Sequence, residues 1–354
     1  MSSDSSVGAA RASAGRRAPA LAARRGAQPA GPTVLDTFAG IGGSSLGARL
    51  AGFRVVLASD GCPSACAAYT ANAPSHGVLC ADAADAPAFL AALRARCKDI
   101  GVSDHFDCIL CSLPCQGFSS ASSSRHKDTR RGLGARFLPV LIDLAPTAIV
   151  FENVVPFAVS AEWAALRLAL SASYDVSEHV ICASHLGVPQ RRRRFFGVCI
   201  PSGAEDRLSA AVAELAAVPE TTMAQTFPGM VSFFHLPRGR TDPAVFSAAR
   251  PAPTVRTTCA AVPNYGTYRR RLRDAGPLRD ATVLSVADWA RVQGFPSSWI
   301  LPTATTACGC PFCASSRRLP APRMIGNAVC PGVMAFVLSH IRHVFAPATG
   351  GGHR

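Results

Sequence analysis

Between Thr33 and Ile200 the sequence predicts an α/β fold, a doubly wound and mostly parallel sheet covered by helices on both faces. Three observations lead there. Seven short apolar runs read as buried strands: TVLDTF, FRVVLAS, GVLCA, FDCILCS, TAIVFEN, VSEHVICA and RFFGVCI. Helical stretches separate several of them, at 43–51, 63–72, 86–97 and 133–144. Strand–helix alternation at this spacing is the pattern of parallel strands joined by crossover helices. Third, the alternation stops after Ile200, where a short Ala-rich helix, Pro/Gly turns and the basic run YRRRLRD take over.

The expected organisation follows. Residues 1–32 are rich in Ala, Ser, Gly and Arg and read as a disordered basic tail or, with the same composition, an organelle transit peptide. Residues 33–200 form a first, regular domain and 201–316 a smaller, irregular second domain. RMIGNAVCPGVMAFVLSHI, within 317–345, reads as a turn and an apolar helix returning to the first domain; 346–354 is a second disordered tail. Among 354 residues, 49% are hydrophobic, enough for a sizeable core, and no run reaches the ~18 uninterrupted apolar residues of a membrane span. A soluble protein is expected. The net charge of +14 favours a polyanionic partner, nucleic acid first. Fourteen scattered cysteines without a secretory leader suit a reducing compartment.

Sheets of this kind bind ligands outside the carboxyl ends of their strands. The first strand ends in a glycine turn, with Gly40, Gly42 and Gly43 letting a ligand approach the backbone. Asp60 closes the second strand, placed for ribose hydroxyls, and Asp82 the third, placed for an adenine amino group. The fourth strand delivers Cys115 in the stiff, polar loop LPCQG, an unusual place for a packing cysteine. The fifth ends with Glu152 inside an apolar run, where burial raises a carboxyl pKa. A nucleophile and an acid on successive strand ends face one crevice. In PQRRRRFF, alternation sends Arg192 and Arg194 one way and Arg191 and Arg193 the other.

These residues resemble, in order, the motifs of the cytosine-5 DNA methyltransferases. DTFAGIGG matches their cofactor loop and PCQ their nucleophile loop; ENV and QRRRR match the motifs that hold the substrate base, and RMIGNAV the final cofactor motif. RPAPTVR and VADWARVQGFPSSW are similar to two further family stretches. The resemblance implies the Rossmann-like methyltransferase fold, S-adenosylmethionine as cofactor, duplex DNA as partner, 33–200 as the catalytic and cofactor-binding domain and 201–316 as the target-recognition domain; a monomer is expected. It also implies roles. Cys115 would add to C6 of a flipped-out cytosine, Glu152 would hold N3, and Arg194 the O2 oxygen with Arg192 in support. Phe38, Gly40, Gly42, Gly43, Asp60, Asp82, Pro114, Leu133, Asn327 and Val329 would form the cofactor pocket. Gln116, Ser119 and Gln190 would contact the substrate, with Arg269, Arg270 and Arg271 in the basic run.

Some positions depart from the family pattern. Gly61 follows Asp60 where a bulkier residue is frequent, so the adenine wall has to come from elsewhere, and Ala328 replaces a frequent serine. Cys308, Cys310 and Cys313 cluster without a clear fourth zinc ligand, and the nine histidines show no ligand spacing, so no metal is expected. Two other readings are a tRNA-methylating enzyme, whose characteristic CFT motif the chain lacks, and a catalytically inactive DNA-binding regulator. Intact Cys115, Glu152 and Arg194 speak against the latter.

Overall fold

The computed structural model describes residues 31–115, 118, 132–235, 244–257, 281–302 and 320–345. Strands β1 (Thr33–Thr37), β2 (Arg54–Asp60), β3 (Gly77–Cys80), β4 (Cys108–Cys111) and β5 (Ala148–Asn153) alternate with helices α1 (Gly43–Leu50), α2 (Pro63–Asn72), α3 (Ala86–Asp99) and α4 (Leu133–Leu144). Helix α5 (Ala161–Leu170) follows, then β6 (Tyr174–Cys182), the two-residue β7 (Gln190–Arg191), β8 (Arg193–Pro201) and α6 (Arg207–Glu214). Seven strands form one sheet in the order β3-β2-β1-β4-β5-β8-β6. Each of the seven apolar runs is one of its strands. Pairing is parallel from β3 to β5, while β8 lies antiparallel to both β5 and β6. Only ten residues separate β6 from β8, too few for a crossover helix, so the two must run in opposite directions.

Alternation along each strand divides the core. Leu35, Ile109, Ile149 and Phe195 face one side, where they pack with Phe89, Phe137, Leu141 and Trp163 from α3, α4 and α5. Their neighbours Val34, Leu110, Val150 and Phe196 face the other, against Ala48 of α1, Leu208 of α6, and Met334, Val337 and Leu338. Leu208 and Leu215 thus belong to the sheet's core, and the separate core after Ile200 begins further on, at Met223. That third cluster joins Phe233, Val255, Trp289, Val292 and Phe295 to Ile41, Leu46 and Ala65.

The final motif differs from its expected turn. RMIGN lies inside a helix, Pro320–Asn327, and a second helix spans Pro331–Ile341. The turn is only Ala328–Cys330, and Pro331 at the first position of the second helix suits its fixed φ. An 18-residue stretch within Ala321–Phe345 is apolar enough for a membrane span, but 67% of that stretch is buried inside the protein, so its apolarity is core.

Candidate active site

A cleft of about 1200 Å³, counted out to its open mouth, lies beyond the carboxyl ends of the parallel strands. Phe38 and Gly40 after β1, Asp60 of β2, Asp82 after β3, Pro114 and Cys115 after β4, and Glu152 of β5 all line it. Arg192, Arg194, Leu133, Asn327 and Val329 complete the set brought together from the expected residues.

The turn after β1 is held in a sparsely populated conformation. Phe38 has φ 58°, Gly40 φ 56° and Gly42 φ 91°. Phe38 packs edge-on against Phe137 at 5.1 Å, and Phe137 against Phe89 at 5.5 Å. Asp60 braces this turn, its two carboxylate oxygens accepting the backbone N–H groups of Gly40 at 2.9 Å and Cys62 at 2.8 Å. Beneath the turn, fully buried Asp36 accepts hydrogen bonds from the hydroxyls of Ser44 and Ser45. The Tyr69 hydroxyl bonds to Ser45 at 2.7 Å and to His76 at 2.8 Å, extending the network. Burial pushes the Asp36 carboxyl up to about 6 and the His76 imidazole down to about 4.

Opposite stand the charged groups. Glu152 is 7% exposed and pairs with Arg194, Nε to Oε1 at 3.3 Å. Burial raises the Glu152 carboxyl, and Arg194 and Arg192 draw it back down. The half-buried Cys115 thiol is likewise raised by burial, lowered by Arg194, raised by Glu152 and lowered by Arg192. Arg192, 2% exposed, donates to the carbonyls of Val255 at 3.1 Å, Gly326 at 3.1 Å and Ala328 at 3.0 Å, so one guanidinium ties three segments together. Burial and Arg194 lower its own pKa to about 10. Arg191 and Arg193 are exposed, as alternation predicts.

Other expected residues lie elsewhere. Gln190 does not reach the cleft: fully buried, it accepts from the Val255 N–H at 2.6 Å and donates to the Val292 carbonyl and Gln293, joining β7 to the third core. Gly42 and Gly43 stand behind the cleft. A Cβ on Gly43 would come within 2.1 Å of the Val329 carbonyl oxygen, so this glycine lets α1 meet the final motif backbone to backbone. Gln116, Ser119, Arg269, Arg270, Arg271 and the Cys308, Cys310 and Cys313 cluster fall outside the described residues. The sequence reading missed Phe89, Ser112, Arg323 and Met324, which also line the cleft. Phe89 had a signal, an aromatic four positions into a helix that follows Asp82.

A Rossmann-like sheet with a glycine-turned cleft at its strand ends, carrying a thiol and an acid, defines the methyltransferase class of α/β proteins. The family of C-5 cytosine-specific DNA methylases matches residues 33–232, and the chain belongs to it: it is a DNA cytosine-5 methyltransferase. Among curated relatives it is 28% identical over 310 residues to the Type II methyltransferase M.HgiDI of Herpetosiphon aurantiacus, covering 86% of this chain and 92% of that protein. To M.XorII of Xanthomonas oryzae pv. oryzae it is 37% identical over 169 residues, 46% of this chain and 39% of that one. The solved structure of the S. pombe Dnmt2 methyltransferase shares the fold, with a TM-score of 0.60, 17% identity and coverage of 87% of this chain and 97% of that one.

Proposed function

We propose that the enzyme methylates C5 of a cytosine flipped out of duplex DNA, with Cys115 as covalent nucleophile and S-adenosylmethionine as cofactor. The convergence of Cys115, Glu152 and Arg194 on one cleft carries this reading. Family membership supports it.

The cleft suits the cofactor in four respects. A Cβ on Gly40 would meet no atom within 4 Å, so the bare backbone there leaves open space in the cleft. The buried Ser112 hydroxyl has no hydrogen-bond partner among the described residues. Asp60 and Asp82 offer carboxylate oxygens at adjacent strand ends, and both line the cleft. Phe38, Phe89 and Leu133 provide the apolar surface for an adenine that Gly61 does not. When bound, S-adenosylmethionine supplies the methyl group that C5 acquires.

The residues of the chain do the rest. A cytosine inside the stack presents neither C5 nor C6 to a side chain, so the base must leave the duplex. The Cys115 thiolate adds to C6 while Glu152, held toward its protonated form by burial, donates to N3. Addition places two electrons at C5 and negative character on O2, which Arg194 stabilises. Arg192 positions this arrangement from below. After methylation, loss of the C5 proton to water expels the Cys115 thiolate, and N3 returns its proton to Glu152, which restores the neutral aromatic ring.

Substituting 5-fluorocytosine at the target blocks that last step, because fluorine cannot leave as the proton does. With S-adenosylmethionine, duplex DNA carrying this base should give a denaturation-resistant adduct that Cys115→Ala cannot form. Adducts on transfer RNA alone would transfer the reading to RNA. Cofactor and DNA binding without any adduct would refute Cys115 as nucleophile.

A further inference from the structure

Away from the cleft, the structure assigns a second site: we propose that Cys182, His185 and Glu220 bind one divalent cation of the zinc type. Their ligand atoms, the Cys182 Sγ, an imidazole nitrogen of His185 and a carboxylate oxygen of Glu220, lie within 4.8 Å of one another. A tetrahedral ion with bonds of 2.0–2.3 Å holds its ligands about 3.3–3.8 Å apart. Closing onto an ion therefore asks for side-chain shifts of roughly an ångström, without backbone rearrangement.

The local structure arranges these residues. Cys182 is the N-cap of a 3₁₀ turn over Ala183–Leu186. Three residues per turn stack positions i and i+3 above one another, so Cys182 and His185 share a face. Glu220 arrives from a separate segment, docked by the Thr221 N–H donating to the Ser184 carbonyl at 2.7 Å. The His185 Nδ1 lies 2.6 Å from the Val218 carbonyl, which can only accept. Nδ1 therefore carries the proton, and the lone pair resides on Nε2, the tautomer control typical of metal-binding histidines. The Ser184 hydroxyl donates to Glu220 Oε1 at 2.9 Å and lies 3.2 Å from the Cys182 sulfur, linking two ligands from outside. One sulfur, one imidazole and one carboxylate suit zinc or cobalt; magnesium and calcium prefer oxygen alone. A water would take the fourth position.

Arg191 competes for the same carboxylate through an ion pair with Glu220. The pair is bidentate, Nε and Nη2 of Arg191 both donating to the Glu220 carboxylate, so the ion must displace it; the Arg191 side chain is 56% exposed, and water can solvate its guanidinium once released. The site also bears on the cleft. The Ala183 N–H donates to the Arg192 carbonyl at 3.0 Å, so an ion here would brace the turn opposite the segment that delivers Arg192 and Arg194.

Cobalt(II) titration of the reduced, metal-free full chain tests the proposal. One saturating equivalent should appear, with a thiolate charge-transfer band and tetrahedral visible absorption that zinc bleaches. Cys182→Ser should remove the charge-transfer band, and His185→Ala or Glu220→Gln should weaken binding about tenfold or more. Arg191→Ala should tighten it several-fold, an effect of opposite sign that loss of folding cannot imitate. Changing Cys308, Cys310 and Cys313 together to serine should leave the band in place. Retention of the band in Cys182→Ser, its loss in the triple variant, or no saturable binding by either wild type or Arg191→Ala would overturn the site.

Discussion

The two walls of the cleft are built by different means. The wall over β1, β2 and β3 is shaped by backbone: a left-handed turn, a carboxylate accepting two main-chain N–H groups, and a buried network from Asp36 to His76. The wall over β4, β5 and β8 is shaped by charge, with Glu152, Arg194 and Arg192 crowding the Cys115 thiol. Folding alone settles the first wall, and its residues are tied to stability. The second holds groups whose burial is unfavourable to folding, and these are the groups to which the proposed mechanism assigns the chemistry. Disturbing the two should therefore give different signatures, in stability on one side and turnover on the other.

The largest effect belongs to the charged wall. Glu152→Gln keeps the shape but cannot supply the proton, and kcat for methyl transfer should fall on the order of 10³-fold with Tm within a degree or two. A matching drop in Tm would break the contrast. Arg192 sits on the boundary. Arg192→Met would leave three carbonyl acceptors without their charged donor, and urea unfolding should show a loss of about 3 kcal/mol. On the backbone wall, Gly43→Ala drives a methyl group into the Val329 carbonyl, which cannot turn away as a side chain would. A loss of about 2 kcal/mol and weaker cofactor binding by calorimetry are expected, with single-turnover chemistry at saturating cofactor unchanged. The smallest effect is a pH dependence. The folded-state pKa of Asp36 lies above its unfolded value, near 6 against 3.8, so its contribution favours folding fully below about pH 4 and is lost as pH rises through 6. Between pH 5 and pH 8 this amounts to roughly 1.5 kcal/mol, which Asp36→Asn should remove from the measured stability curve.

Much of this was legible in the chain. Strands β1 to β5 are short apolar runs, and the helices over Pro63–Asn72 and Leu133–Leu144 coincide with their patterns, because local periodicity and burial agree there. Cys115 and Glu152 stood out because a thiol after proline and an acid in an apolar strand are each unfavourable without a purpose. What could not be read was long-range. Gln190 stands directly before four consecutive arginines, yet its partners, Val255, Val292 and Gln293, are 65 to 103 positions away. The direction of β8 is not encoded in its apolar pattern but in the length of the preceding connection. RMIGN read as a turn because glycine and asparagine disfavour helix. Tertiary contact overrode that preference: a Cβ on Gly326 would lie 2.4 Å from the backbone of Arg256. The Cys182–His185 spacing carries no signal by itself, because Glu220 joins the pair from a separate segment.

The Arg192 clasp also has a consequence in time. Its acceptors lie 63, 134 and 136 positions further along the chain. At a translation rate of about 5–20 residues per second, Gly326 emerges roughly 7–27 s after Arg192. Throughout that interval the growing polypeptide carries the residues of the charged wall without the helix that closes beneath them. A chain that has not yet made Gly326 and Ala328 therefore lacks two of the three acceptors that hold the Arg192 guanidinium.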